Sequence, residues 1–119
     1  MRLVVADDSA VMRKIVIRTL RQTGLRNLEI IEANDGLELI DLVYAHQPDL
    51  VLSDWNMPNL TGIEALERLR AQGETVPFGF VTSEGSELMR EKATAAGAAF
   101  LLSKPFSAET MEDALSAVV

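Results

Sequence analysis

The sequence predicts an α/β domain built on a five-stranded parallel sheet with helices on both faces. Three observations carry this. Short apolar runs alternate with segments of helical periodicity along the whole chain, five of each. The connections are short, which with this alternation demands right-handed crossovers between parallel strands. Finally, four of the runs stop abruptly on polar residues. Leu3-Val4-Val5-Ala6 ends at Asp7-Asp8, and Leu50-Val51-Leu52-Ser53 at Asp54. Phe78-Gly79-Phe80-Val81 ends at Thr82, and Phe100-Leu101-Leu102-Ser103 at Lys104. In a parallel sheet all four endings lie on one edge.

Residues 2–6 read as the first strand. From about Ser9 to Thr23, Val11, Met12, Ile15, Val16 and Leu20 recur at helical spacing, and Gly24 is the natural stop. Leu28 to Ala33 is strand-like but interrupted by Glu29 and Glu32, as an edge strand would be. Asn34-Asp35-Gly36 reads as a turn, followed by a helix marked by Leu37, Ile40, Val43 and Tyr44 and closed before Pro48. The run ending at Asp54 is too short for a helix, and Met57-Pro58 breaks regular structure after it. It is the central buried strand.

Past a loop over Asn56–Leu60, Thr61 and Glu64 have the spacing of a capping box, and Ile63, Leu66 and Leu69 give the third helix a narrow apolar face. Pro77 precedes the fourth strand. The helix from about Ser86 to Ala96 is poor in large apolar groups and ends at Gly97. The last strand reaches Lys104, and Ser107 caps a final helix with Met111, Ala114, Leu115 and Val118 on one side. The chain stops inside this helical pattern, which leaves open whether it continues.

A chain of 119 residues suits one core and not two, so residues 1–119 are expected to form one domain. A net charge of −7 speaks against a nucleic-acid surface and against an anionic membrane. The absence of cysteine removes disulfides and thiolate metal sites and suits a cytoplasmic location. No apolar stretch approaches the roughly 20 residues needed to span a bilayer. Neither G-x-x-x-x-G-K nor G-x-G-x-x-G occurs, which lowers the expectation of a nucleotide-binding enzyme.

The flavodoxin-like (βα)5 arrangement, with strand order 2-1-3-4-5, sets the first and third strands side by side, and ligands bind where strand order reverses. That order is taken over from known doubly wound sheets. Asp7, Asp8 and Asp54 would meet there. Three converging carboxylates repel one another, and a hard divalent cation relieves the repulsion. Magnesium takes one or two carboxylates plus waters and phosphate oxygens. Asp8 and Asp54 are expected to ligate, Asp7 directly or through water, and the Asn56 backbone carbonyl to complete the set. A carboxylate beside Mg²⁺ can attack phosphorus, with Lys104 and Thr82 serving the oxygens of the transferred group.

Taken together, Asp7-Asp8, Asp54 followed by Met57-Pro58 and Gly62, Thr82, and Lys104-Pro105-Phe106 resemble the CheY-like receiver domains of two-component response regulators. The resemblance covers essentially the whole chain. It implies Asp54 as phosphoacceptor, Mg²⁺ held by Asp7, Asp8, Asp54 and the Asn56 carbonyl, and Thr82 and Lys104 as sensors of the phosphoryl group. It further implies a cis Lys104–Pro105 bond, and Asn56 and Glu84 as residues that tune water's access to the phosphoryl group.

A histidine kinase or histidine phosphotransfer protein would be the donor, and an effector protein or output domain the target. The target would be engaged through the fourth helix, fifth strand and fifth helix. No output domain is expected within this chain, and chemotaxis control is one candidate pathway. The family usually places an aromatic residue three before the lysine. Here that residue is Leu101, while Phe100 should face the other way, so Leu101, Phe100, Lys104 and Pro105 form an altered switch region. The signal would then pass through Leu101 as a smaller reporter or through a loosely held fourth helix.

Singly, these residues have ordinary readings: an Asp after a strand is more often a turn or cap residue, and a lone Lys a solvated charge. Their convergence decides otherwise. Two other functions fit part of the pattern. A Mg²⁺-dependent phosphatase with an aspartyl-phosphate intermediate commonly carries a second acid two residues after the nucleophile, but here Asn56 cannot shuttle a proton. A pseudo-receiver acting only as a binding module would not need the complete acidic cluster.

Overall fold

The computed structural model describes residues 1–118. Strands and helices alternate as β1 (Arg2–Ala6), α1 (Ala10–Arg21), β2 (Glu29–Ala33), α2 (Gly36–His46), β3 (Leu50–Ser53), α3 (Gly62–Ala71), β4 (Phe78–Thr82), α4 (Glu87–Ala96), β5 (Phe100–Ser103) and α5 (Ala108–Leu115). The sheet runs β2-β1-β3-β4-β5 and every pair is parallel. This is the flavodoxin-like order expected above.

Both sheet faces are covered, which is why β1, β3 and β4 are apolar nearly throughout. Side chains alternate between faces, so Val4, Val51, Phe78 and Phe80 pack under α2, α3 and α4 with Leu39, Val43, Leu66, Leu69 and Ala93. Leu3, Val5, Leu50, Leu52 and Val81 pack on the other side with Val16 and Leu20 of α1 and Met111 and Leu115 of α5. The register sets Ala6 beside Ser53. Asp7 and Asp54 therefore leave the sheet at the same level, the Asp54 N–H donating to the Ala6 carbonyl at 2.9 Å.

Helix starts follow the capping residues. Ser9, Asp35, Thr61, Ser86 and Ser107 each accept a backbone N–H of the first turn, and Thr61 with Glu64 closes the capping box. Two local readings differ from the sequence-based ones. Gly24 does not stop α1. Gln22 closes it in the right-handed region, and the Thr23 hydroxyl donates to the Leu20 carbonyl at 2.6 Å, so a side chain satisfies the last turn.

Asp35 and Gly36 do not form a free turn either. Asp35 is the cap of α2 and Gly36 its first residue. The start of α2 is pinned to the β3–α3 loop by Gly36 N–H to Leu60 carbonyl at 3.1 Å and by Asn59 Nδ2 to Asp35 Oδ2 at 2.7 Å. That fixes which face turns inward: Leu39 and Val43 are buried, while Leu37 and Tyr44 are exposed. Likewise α1 buries Val16, Thr19 and Leu20 and leaves Val11 68% exposed. Gly97 does end α4, in the left-handed region at φ 101°.

Candidate functional site

Beyond the carboxyl ends of β1 and β3, one carboxylate oxygen each from Asp7, Asp8 and Asp54 lies within 4.8 Å of the others. Asp7 is buried, Asp54 half-buried and Asp8 exposed, so the cluster opens to solvent on the Asp8 side. From β5, Lys104 brings its Nζ to 3.5 Å from Asp7 Oδ2 and 3.7 Å from Asp54 Oδ2. The remaining oxygens are held by the backbone. Asp7 Oδ1 accepts the Ser9 N–H at 2.9 Å, and Asp54 Oδ1 the Trp55 N–H at 2.7 Å. Each of these carboxylates is thus oriented, with one oxygen facing the ammonium.

Three carboxylates thus share this small space with one ammonium, which faces two of them. Burial pushes the Asp54 carboxyl above its ordinary pKa, Lys104 works against this, and Asp7 and Asp8 add to the rise. The unneutralised charge is what a divalent cation would compensate, and an all-oxygen donor set of carboxylates matches the preference of Mg²⁺. These residues fit that ion.

The other predicted residues fall around this cluster. Thr82 is fully buried at the end of β4, its hydroxyl accepting the Glu84 N–H at 3.2 Å, and its carbonyl receives the Lys104 N–H at 2.7 Å. The Lys104–Pro105 bond is cis. Asn56 lies exposed at the start of the loop after Asp54, and Glu84 is exposed beyond Thr82. That loop turns back immediately, with the Gly62 N–H on the Trp55 carbonyl at 2.8 Å. A Cβ at Gly62 would lie 2.2 Å from the Asp54 carbonyl oxygen, so only glycine allows the approach. Leu101 is buried on the face of Phe80 and Ala93, and Phe100 packs on the opposite face, as strand alternation predicts. Trp55 packs on Phe80 with ring centroids 4.8 Å apart.

Two arginines not singled out from the sequence reach into this region. Arg13 of α1 donates from Nη1 to the Asp7 carbonyl at 2.6 Å and from Nε to Glu32 at 2.9 Å. Arg90 of α4 donates from Nη1 to the Leu101 carbonyl at 2.9 Å and from Nη2 to the Ser103 hydroxyl at 3.3 Å. Each grips one backbone carbonyl, a target that carries no residue-type signal in a sequence.

The chain matches the family model "Response regulator receiver domain" over residues 3–116. It belongs to that family. Among relatives, the receiver is 34% identical to chemotaxis protein CheY-3 of Vibrio cholerae serotype O1 over 120 residues, covering 99% of this chain and 91% of that protein. It is 35% identical to the chemotaxis protein CheY homolog of Campylobacter jejuni subsp. jejuni over 122 residues, covering 100% and 92%. Its fold superposes on the Vibrio cholerae chemotaxis protein CheY4 with a TM-score of 0.86, at 32% identity and covering 99% and 98% of the two chains. This is a CheY-like receiver of two-component signalling, a class of signalling domain that takes up a phosphoryl group. Receivers bind Mg²⁺ at an acidic pocket, and the Asp7, Asp8 and Asp54 cluster has that character. Among the described residues no helix is long and apolar enough to cross a membrane.

Proposed function

We propose that Asp54 accepts a phosphoryl group from a phosphohistidine on a histidine kinase or histidine phosphotransfer protein, and that residues 1–119 act as one receiver domain. The observation that carries this reading is the position of Asp54: it shares one small space with Asp7 and Asp8 on one side and the Lys104 ammonium on the other.

Asp54 Oδ1 is occupied by the Trp55 N–H, which leaves Oδ2, on the Lys104 side, to attack phosphorus. The new O–P bond forms as the N–P bond to the donor imidazole breaks, and the leaving nitrogen keeps the electron pair. Asp7, Asp8, Asp54 and the Asn56 carbonyl would hold Mg²⁺, which supplies neutralisation of the oxygen charge during transfer. Lys104 then exchanges its carboxylate partners for a phosphoryl oxygen, and the Thr82 hydroxyl, now accepting from Glu84, turns to donate to another. Asn56 and Glu84, exposed on either side, tune how fast water reaches the acyl phosphate.

Lys104 N–H to Thr82 carbonyl at 2.7 Å ties the two strand ends, so a shift of either is felt in β5. From there Leu101, Phe100 and Pro105 pass the change to the α4-β5-α5 surface, where an effector or output domain binds. We take the cytoplasm as the place of action.

Intact mass after treatment with acetyl phosphate, with and without Mg²⁺, tests the reading on wild type and Asp54→Asn. One added phosphate is expected for wild type with metal alone. A phosphate on Asp54→Asn, or none on wild type with Mg²⁺, overturns it.

A further inference from the structure

We propose that Arg13, anchored by Glu32, is a positioning residue for the divalent-cation site: it fixes the Asp7–Asp8 peptide and so sets the affinity for Mg²⁺. This rests on the reading of Asp7, Asp8 and Asp54 as the metal-binding cluster.

The side chain of Arg13 is 11% exposed and lies against the end of β1. Its Nη1 donates to the Asp7 carbonyl at 2.6 Å, a short bond strengthened by the arginine's charge. Asp7 is held at its other polar groups as well. Its N–H donates to the Ala33 carbonyl at 3.1 Å, and its carboxylate takes the Ser9 N–H and faces Lys104. The carbonyl that Arg13 grips belongs to the planar peptide leading into Asp8. Asp8 is the exposed member of the cluster, so the direction of that peptide decides where its carboxylate stands. Mg²⁺ tolerates little departure from octahedral geometry, whereas Ca²⁺ accepts flexible coordination. A peptide free to rotate should therefore cost Mg²⁺ more than Ca²⁺.

Arg13 would be a poor neighbour for a cation if its charge acted alone. Glu32 Oε1, 2.9 Å from Nε, offsets that charge and holds the guanidinium in place. Positioning and simple field effects then predict opposite signs. Removing a bare positive charge would tighten cation binding, while losing the grip on the peptide would weaken it.

Calorimetric titration of the intact chain with MgCl₂ and with CaCl₂ separates these. For Arg13→Ala, Mg²⁺ affinity is expected to fall about tenfold, the low end for loss of a group that orients a metal ligand, with a smaller loss for Ca²⁺. Arg13→Lys, which keeps one donor, should recover part of it. Unchanged or tighter Mg²⁺ binding by Arg13→Ala overturns the proposal. Thermal unfolding in EDTA checks that the variant folds. If it does not, Glu32→Ala frees the guanidinium from its anchor and must show the same preferential loss of Mg²⁺, or the proposal fails. If wild type itself binds no Mg²⁺, it is the metal-site reading that falls.

Discussion

A Cβ at Gly79 of β4 would sit 2.2 Å from the Cζ of Phe100 on the neighbouring strand β5. The two residues are register partners, and the phenylalanine ring lies over the bare backbone of the glycine. The aromatic residue near the end of this sheet is thus seated on the α1 and α5 side, away from the side on which Leu101 packs with Phe80. In this receiver the position three before the lysine is a buried leucine, and the aromatic one residue earlier is held in a hollow made by glycine.

Gly79→Ala should therefore destabilise the fold by about 1–3 kcal/mol, the range for forcing an extra group into a packed site. In a Phe100→Ala background the same change should be neutral or slightly stabilising, since the hollow is then empty and alanine restricts the unfolded chain more than glycine does. Urea unfolding of the four proteins measures the coupling. Additive effects would show that the ring does not depend on the glycine.

Asp54 carries a stability cost at neutral pH. Burial raises its folded pKa, with Asp7 and Asp8 adding to the effect of burial and Lys104 opposing it. Between the ordinary carboxylate pKa and the raised one, the folded state holds the proton that the unfolded state has released. Stability is accordingly complete below the ordinary value and is lost as pH rises through the folded one. Without divalent cation, Asp54→Asn should unfold at a higher denaturant concentration than wild type at neutral pH, and the two should converge at acid pH. Adding MgCl₂ should narrow or reverse the gap at pH 7, because the ion stabilises only the protein that binds it well. A variant less stable than wild type in EDTA at pH 7 would contradict this.

Ala93 is the one fully buried residue of the fourth helix, and Arg90 ties the helix to β5 through the Leu101 carbonyl and the Ser103 hydroxyl. Leu101 lies on an edge strand, and Arg90 occupies its outward carbonyl. Arg90→Ala should raise hydrogen exchange of the α4 amides about tenfold, the equivalent of one or two lost hydrogen bonds, with less change in β1 and β3. In wild type a phosphoryl mimic should alter protection within residues 84–103. Unchanged protection there in both experiments would remove α4 from the signalling route.

Much of this receiver is legible in its sequence. Strand and helix identities followed from period and length, and the helix starts at Ser9, Thr61, Ser86 and Ser107 from residues whose oxygens accept first-turn N–H groups. The gathering of Asp7, Asp8, Asp54 and Lys104 followed from strand endings once the sheet was taken as parallel. These features are local or follow from topology, so residue type and spacing suffice to state them.

Tertiary structure alone decided the rest. Val11, Leu37 and Tyr44 match the helical period as well as Val16, Leu39 and Val43 do, and only the second set is buried. Periodicity says that a helix has an apolar face; the pinning of Gly36 to Leu60 and the packing of α1 against α5 select which one. The grips of Arg13 on Asp7 and Arg90 on Leu101 were equally invisible. A long cationic side chain can reach any carbonyl within its radius, and every residue has a carbonyl, so only the folded backbone determines which one it holds.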